Sequence, residues 1–314
     1  MRTNAAAKWI RRVSPANAKA DLSRFVNDRV KDSLTGQGVI RALFTPPSSD
    51  TVVPLSTPRR SFSRQSIWRM KHRDESVGQS LPLPPAELVY YGSVDRYLES
   101  GQGDASTLRK LFDRLGVRLS GISVMDWGCR DCRVLRHFEA EARSCDFWGV
   151  DQHGPTMEWV KENLSPPFRF VTCTAYPHLP FEDRTFDIIF AISVMTHVPW
   201  LADAWLMELR RILKPGAYGL LTIHDEHTWQ FLRKDDAFRE AFALEEEDIK
   251  KGETGDLVII DGADVPLEYV NVFHSSERIR REWGQYFEIV AIEPCAFYHQ
   301  AMVVVRKPIG AGGS

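Results

Sequence analysis

The chain has 314 residues, of which 43% are hydrophobic and 26% are charged, and its formal net charge is −2. This length fits one large domain with an extension or two small domains, with enough apolar sequence for a sizeable core. No apolar run approaches the roughly 18 residues of a membrane-spanning helix, and the N-terminus lacks the apolar core of a secretory signal. The five cysteines are irregularly spaced, so we expect no disulfide framework and predict a reducing, cytoplasmic location.

Charge is unevenly distributed along the chain. Residues 1–85 hold 15 Lys and Arg against 6 Asp and Glu, whereas the remainder holds 25 against 36. Residues 1–20 are basic and contain no acid, which resembles a mitochondrial transit peptide. The same pattern fits an arm that contacts a partner protein or an anionic surface such as lipid or nucleic acid, or simply a solvated extension.

Proline-rich sequence separates this basic region from the rest of the chain. Apolar residues from 16 to 30 recur at helical spacing and predict a short amphipathic helix. Residues 45–85 contain seven prolines, which deny the backbone regular hydrogen bonds. We therefore predict that residues 1–80 are a largely flexible extension and that residues 81–310 form the folded domain.

Strand and helix patterns alternate through the predicted domain. Helices are predicted over 87–98 and 105–115, the second beginning after Asp104. The strands that follow are predicted over 122–125, 146–151, 168–171, 186–193 and 218–223, and the helices over 134–143, 156–163 and 201–213. Such alternation indicates an α/β, doubly wound Rossmann-like fold with a mostly parallel sheet.

The last third of the chain departs from this alternation. Residues 225–275 read as an insertion or cap, with a helix around 236–249 and a hairpin whose first strand is 257–260. Residues 287–293 and 301–306 are expected to close the sheet as an antiparallel pair at its edge.

Polar residues follow the predicted strands at their carboxyl ends, where open parallel sheets bind ligands. They lie at 126–130, 151–153, 172–176, 193–197 and 224–227. Asp151 ends the second strand about 20 residues after the glycine turn, a spacing at which a carboxylate accepts the hydroxyls of a ribose.

Five segments resemble, in order and spacing, the motifs of class I S-adenosylmethionine-dependent methyltransferases, and in particular the methyltransferase type 11-like bacterial subgroup. The first is Val-Met-Asp-Trp-Gly-Cys at 124–129, and the second is Trp-Gly-Val-Asp at 148–151. The others cover 179–189, 193–198 and 208–216. The resemblance implies a seven-stranded sheet with an antiparallel C-terminal edge strand.

The resemblance also implies that S-adenosylmethionine is the cofactor, and it assigns no metal ligand. The ribose would lie on Asp151, the adenine near residues 174–176, and the methionine end near Ser193. The residues expected to bind the cofactor are Asp126, Trp127, Gly128, Cys129, Arg130, Asp151, Gln152, Thr174, Ala175, Tyr176 and Ser193.

The loop after the first strand departs from the family pattern, which usually places glycine where this chain has Arg130 and Cys132. If the backbone there needs φ above zero, a non-glycine residue costs about 1–3 kcal/mol. Asp131 could cap a helix or repel the carboxylate of the cofactor, whereas Arg130 could pair with that carboxylate. The Cys-x-x-Cys spacing also occurs in redox pairs and in half of a zinc site.

Methyl transfer from a sulfonium is an in-line displacement, in which a histidine can remove the proton of the acceptor. His197 follows the fourth strand and His224 the fifth, so both are candidate catalytic residues. We therefore predict a methyltransferase that acts on a hydroxyl, or an amine, of a small molecule or glycan. The alternative is a catalytically degenerate protein of the same fold that serves as a binding or scaffolding subunit.

Overall fold

The computed structural model describes residues 9–12, 81–90, 93–236, 239, 242, 244, 249, 250, 252, 254–261 and 270–309. The strands are β1 (Trp9–Arg12), β2 (Ser123–Trp127), β3 (Asp146–Asp151), β4 (Arg169–Thr172), β5 (Phe186–Ala191), β6 (Leu213–Ile223), β7 (Leu257–Asp261), β8 (Asn271–His274), β9 (Glu288–Phe297) and β10 (Gln300–Arg306). The α-helices are α1 (Val94–Arg114), α2 (Gly154–Asn163), α3 (Ala202–Ile212), α4 (Glu226–Lys234) and α5 (Ser276–Glu282).

Seven of these strands form one sheet in the order β4-β3-β2-β5-β6-β10-β9. β2 pairs in parallel with both β3 and β5, and β3 pairs in parallel with β4. β9 and β10 pair antiparallel at one edge. The predicted doubly wound, mostly parallel sheet with an antiparallel C-terminal edge is therefore confirmed, with β9 as its outermost strand.

A second, three-stranded sheet has the order β1-β7-β8. β7 pairs antiparallel with both of its neighbours, as the hairpin pattern around 257–260 predicts. Among the described residues, no helix is both long and apolar enough to cross a membrane.

The described residues belong to two compact units. The first unit contains residues 81–191 together with Met207–Gly219, and the second contains Ile192–Leu206 together with Leu220–Arg306. The core of the first unit is aromatic, since Phe138, Phe147, Phe168 and Phe190 are fully buried.

Helix α1 replaces the two helices that the sequence predicts between residues 87 and 115. It begins at Ser93, whose side chain accepts a hydrogen bond from the Arg96 backbone N–H. Asp104 does not start a second helix, because its carboxylate pairs with the guanidinium of Arg133 at 2.6 Å. Gly101 lies against the Arg133 carbonyl, where a Cβ would overlap the oxygen, so glycine allows the helix to run through.

The prediction of a helix over 134–143 was wrong, because two short 3-10 turns occupy this region, at Leu135–Phe138 and Glu141–Arg143. His137 donates to the carbonyl of Val134 at 3.1 Å, three rather than four residues back. Phe138 stacks on Phe147 with ring centroids 5.2 Å apart, so tertiary packing overrides the helical pattern.

Helix α4 was not predicted, although its start is encoded locally. Asp225 accepts hydrogen bonds from the backbone N–H groups of His227 and Thr228, and the Thr228 hydroxyl accepts one from the Asp225 N–H. Most of the helix predicted around 236–249, and all of that predicted over 16–30, lie outside the described residues. The domain boundary near residue 80 stays a prediction.

Candidate functional site

The loop after β2 adopts the left-handed backbone conformation at three positions. The φ angles are 82° at Gly128, 45° at Arg130 and 61° at Cys132. The chain therefore follows a glycine-like path with glycine at one of the three positions, and each non-glycine residue costs about 1–3 kcal/mol.

Hydrogen bonds to the end of β3 hold this strained loop in place. The backbone N–H groups of Gly128 and Cys129 both donate to the Val150 carbonyl, at 2.7 and 3.2 Å. The Arg130 N–H donates to Oδ2 of Asp151 at 2.9 Å. These bonds form because β2 and β3 pair side by side, and they offset the free-energy cost of the left-handed conformation in the loop.

Asp151 lies at the end of β3 and is nearly buried. Its Oδ2 accepts from Arg130, and its Oδ1 accepts from the His153 backbone N–H at 2.7 Å. Each carboxylate oxygen has a second lone pair available for a further donor. With the glycine-like loop path beside it, this carboxylate fits a ribose, whose two hydroxyls need acceptors.

Asp126 is inside β2 rather than after it, and it is 4% exposed. Burial raises its pKa well above the ordinary value, and the nearby carboxylates of Asp151 and Asp131 add to this effect, while Arg133 opposes it. Trp127, the last residue of the strand, is also buried. Arg133 therefore supplies a positive charge that partly offsets the carboxylates of Asp126, Asp131 and Asp151.

Asp131 does not cap an α-helix. Its Oδ2 accepts from the backbone N–H of Tyr90 at 3.0 Å, and its Oδ1 accepts from that of Arg133 at 3.3 Å. The residue is 1% exposed. Its carboxylate is thus occupied by internal donors.

The two cysteines of the loop are buried thiols. Burial is the main cause that raises the pKa of both Cys129 and Cys132. The Cys129 Sγ lies 3.8 Å from the Met157 Sδ. High thiol pKa values disfavour the thiolate that redox exchange and zinc binding both need, so these side chains act here as packed apolar groups.

The remaining residues predicted to bind the cofactor surround the ends of β3 and β4. Gln152, Ala175 and Tyr176 are exposed, and Thr174 is half-buried. The Thr174 hydroxyl accepts from the Tyr176 backbone N–H at 3.3 Å. This hydroxyl therefore forms part of a turn.

Ser193 belongs to the second unit, where it lies in a left-handed conformation with φ of 59°. Its backbone N–H donates to the Thr222 hydroxyl at 2.7 Å. Its own hydroxyl accepts from Nε2 of Gln300 at 2.9 Å, and Gln300 is buried. The hairpin of β9 and β10 thus fixes the side chain of Ser193.

His197 has a defined tautomer. Its Nδ1 lies 2.8 Å from the carbonyl oxygen of Val270, which can only accept, so Nδ1 carries the proton. Nε2 is consequently the basic nitrogen of the ring.

His224 is almost completely buried, at 1% exposure. Its ring stacks between Phe273 and His299, with centroid distances of 4.9 and 5.3 Å. Neither ring nitrogen has a hydrogen-bond partner of good geometry among the described residues. Burial lowers the pKa of His224 well below its ordinary value, although the Asn271 side chain opposes this, so the ring is neutral at neutral pH.

His299 and Gln300 were not among the residues predicted from the sequence. His299 lies in the turn between β9 and β10, and Gln300 begins β10. Burial lowers the pKa of His299 to about 4. Together, His197, His224 and His299 form a group of imidazoles, with His197 and His224 6.5 Å apart. The antiparallel pattern of the last two strands could have indicated these residues, because the turn of such a hairpin returns to the edge where β6 ends.

Known proteins resemble this chain over part of its length. Residues 125–221 match the family described as a methyltransferase domain. A sterol 24-C-methyltransferase of Schizosaccharomyces pombe is 33% identical over 108 residues, which are 33% of this chain and 28% of that protein. The methyltransferase GfsG of Streptomyces halstedii is 30% identical over 148 residues, covering 44% of this chain and 50% of that protein.

Solved structures with a similar course of the chain include methyltransferases. A 1,6-didemethyltoxoflavin-N1-methyltransferase of Burkholderia thailandensis, with its substrate and S-adenosylhomocysteine bound, is 15% identical with a TM-score of 0.46, covering 76% of this chain and 98% of that one. An S-adenosylmethionine-dependent methyltransferase of Aquifex aeolicus is 16% identical with a TM-score of 0.46, covering 72% and 100%.

This chain spans half or less of the length of the curated relatives described above. The family match covers the segment from β2 into β6, which contains the strained loop and Asp151. The similarity to known methyltransferases therefore lies in residues 125–221, which match a methyltransferase domain.

Proposed function

We propose that this protein transfers the methyl group of S-adenosylmethionine to a hydroxyl, or an amine, of a small molecule or glycan. The observation that carries the proposal is the group of three imidazoles in the second unit, those of His197, His224 and His299. His197 presents Nε2 as a base because Val270 fixes the proton on Nδ1. A base of this kind is what an acceptor hydroxyl needs when its oxygen attacks a methyl group.

In this proposal the first unit binds the cofactor. Asp151 accepts the ribose hydroxyls, and the loop of Gly128 and Cys129 supports the cofactor beside it. Arg130 pairs with the methionine carboxylate, since a guanidinium is the usual partner of a carboxylate. Thr174, Ala175 and Tyr176 contact the adenine, and Ser193 contacts the methionine end.

The bound cofactor supplies a methyl group on a positively charged sulfur, which leaves as a neutral thioether. His197 takes the acceptor proton as the new bond to the methyl carbon forms, so the acceptor oxygen gains the methyl group without accumulating charge. His224 stays neutral and offers a ring nitrogen as a second hydrogen-bonding group. Alignment of the acceptor provides the rest of the acceleration.

The aromatic surroundings of the histidine group support a small-molecule or glycan acceptor. Burial lowers the pKa of both His224 and His299, and His224 lies among aromatic rings, including Phe273 at 4.9 Å and Phe242 at 5.4 Å between ring centroids. One relative in sequence is named a sterol 24-C-methyltransferase, and a sterol is a small molecule.

One specific observation favours the second candidate, a degenerate binding or scaffolding subunit. Arg130 and Cys132 place side chains at left-handed positions of the loop, where the sequence resemblance leads us to expect glycine. If these side chains exclude the cofactor, the fold would persist without catalysis.

Titration calorimetry with S-adenosylhomocysteine distinguishes the two candidates. The proposal predicts binding with a Kd between about 1 µM and 1 mM, the range of typical substrate affinities. Replacing both Arg130 and Cys132 by glycine should then weaken binding, because the guanidinium is lost. Absence of binding by the natural chain at about 1 mM ligand, with gain of binding in the double variant, would instead establish the degenerate subunit.

The proposal also includes a location for the protein, the cytoplasm. All five cysteines are free thiols, including the exposed Cys295, which supports action in the reducing cytoplasm. The role of the basic residues 1–80 in binding a partner protein or an anionic surface remains a prediction. It would be tested by deleting those residues and comparing activity with cofactor affinity.

A further inference from the structure

Residues 81–90 are attached at one end to the strained loop and at the other to the 3-10 turn that follows it, Leu135–Phe138. At one end, the Tyr90 backbone N–H donates to Oδ2 of Asp131 at 3.0 Å. At the other end, Nη2 of Arg136 donates to the carbonyls of Leu81 and Pro82 at 2.9 and 3.1 Å. We call residues 81–90 the strap.

A buried tyrosine joins the two fastenings. The Tyr97 hydroxyl donates to the Asp131 carbonyl at 2.8 Å and accepts from Nη1 of Arg136 at 2.9 Å. Tyr97, Asp131 and Arg136 are 0, 1 and 7% exposed. Buried hydrogen bonds to charged groups are stronger than exposed ones, so this chain of contacts sets the position of the strap.

The strap in turn contacts the loop residue that the proposed function assigns to the cofactor carboxylate. The guanidinium carbon of Arg130 lies 5.3 Å from the centre of the Tyr90 ring, within the range of a cation–π contact. Tyr90 therefore links Asp131, through its backbone, to Arg130, through its ring.

We propose that Asp131 is a positioning residue for cofactor binding, which holds Tyr90 and thereby orients Arg130 toward the methionine carboxylate. This inference rests on the proposed function. It reverses the expectation that Asp131 repels the cofactor, because both of its oxygens accept from internal N–H groups and the side chain is almost completely buried.

Two ligands that differ at the methionine end test this role. S-adenosylhomocysteine carries the amino-acid group, whereas 5′-methylthioadenosine lacks it and keeps the adenine, ribose and thioether. In the full-length Asp131→Ala variant, calorimetry should show about a tenfold loss of affinity for S-adenosylhomocysteine. Affinity for 5′-methylthioadenosine should stay within about twofold, because Arg130 has nothing to pair with in that ligand.

Conservative variants separate positioning from a general defect. Asp131→Asn keeps an oxygen that can accept from Tyr90, so it should restore most of the affinity for S-adenosylhomocysteine. Tyr97→Phe removes the hydroxyl that joins the two fastenings and should lower that affinity selectively, by a smaller factor. Asp183→Ala is the matched control, since Asp183 lies in the same unit, is 71% exposed and pairs with Arg211.

Hydrogen exchange of the unliganded variants provides the structural readout. Asp131→Ala should lose protection at the Tyr90 amide, while the amides of β2 and β3 keep theirs. Equal losses of affinity for both ligands, or an unchanged affinity for S-adenosylhomocysteine, would overturn the positioning role. Failure of the natural chain to bind either ligand would overturn the proposed function itself, so the two failures are distinguishable.

Discussion

The strained loop and the histidine group differ in how their buried polar groups are hydrogen-bonded. At the loop, the carboxylates have internal partners: Asp151 accepts from Arg130 and His153, and Asp131 accepts from Tyr90 and Arg133. In the histidine group, His224 is buried with no hydrogen-bond partner of good geometry at either ring nitrogen among the described residues. The first arrangement fixes a backbone conformation, whereas the second retains hydrogen-bonding capacity at the expense of stability.

This difference indicates separate roles for the two regions. A loop whose backbone is already held by hydrogen bonds to carboxylates and carbonyls is preorganised and loses little entropy on binding a ligand. A neutral imidazole without a partner is destabilised when buried, and it regains hydrogen bonding when a suitable group is brought to it. Binding variants should therefore map to the loop, and variants that change the rate to the histidines.

The largest expected effect is on the rate of methyl transfer. His197→Ala should lower kcat by roughly 100- to 10,000-fold, because the base that accepts the acceptor proton is removed. Affinity for S-adenosylhomocysteine should be unchanged. Radiolabelled methyl transfer and calorimetry measure the two quantities, and the exposed His178→Ala is the matched control. A parallel loss of cofactor affinity would contradict the division of roles.

The next effect is on cofactor affinity. Asp151→Ala should weaken S-adenosylhomocysteine binding by about 100-fold, since hydrogen bonds to a charged acceptor contribute about 1.5–3 kcal/mol each. The variant also removes the acceptor of the Arg130 and His153 backbone N–H groups, which donate to this carboxylate in the natural chain. Calorimetry against the exposed-carboxylate variant Asp183→Ala provides the comparison. An affinity within about threefold of the natural chain would show that the ribose binds elsewhere.

The smallest effect is on stability and concerns another buried imidazole. Burial lowers the pKa of His274 to about 3, so the folded state keeps this ring neutral while the unfolded chain protonates it below about pH 6.5. Because the folded pKa is depressed, stability is present above pH 6.5 and is lost as the pH falls. The natural chain should lose about 2 kcal/mol more than His274→Leu between pH 7.5 and 5.

Urea unfolding of both proteins at the two pH values measures this difference. His178→Leu replaces an exposed histidine and should retain the pH dependence of the natural chain. Equal pH dependence in the natural chain and in His274→Leu would mean that His274 is protonated in the folded state, contrary to its burial at 4% exposure.

The sequence predicts the sheet and the place of Asp151 at the end of a strand, because both depend on local patterns. An apolar run predicts a strand, and the first acidic residue after the run marks a carboxylate at the end of that strand. The partners of Asp131 could not be predicted, since Tyr90 is 41 residues away and its contribution is a backbone N–H. The turns at 135–143 could not be predicted, because they depend on the packing of Phe138 against Phe147. His299 could not be predicted either, because its contact with His224 depends on where the turn between β9 and β10 lies.

The bond between Gln300 and Ser193 spans 107 residues, whereas the bonds of the strained loop span at most 41. A nascent chain that ends before residue 298 therefore contains the loop, Asp151 and the strap but lacks the hairpin that supports Ser193 and His224. Long-range contacts are also the slow ones to form, since a large loop must close first. On the ribosome, the strap, the strained loop and Asp151 are synthesised about 150 residues before the hairpin that supports Ser193 and His224.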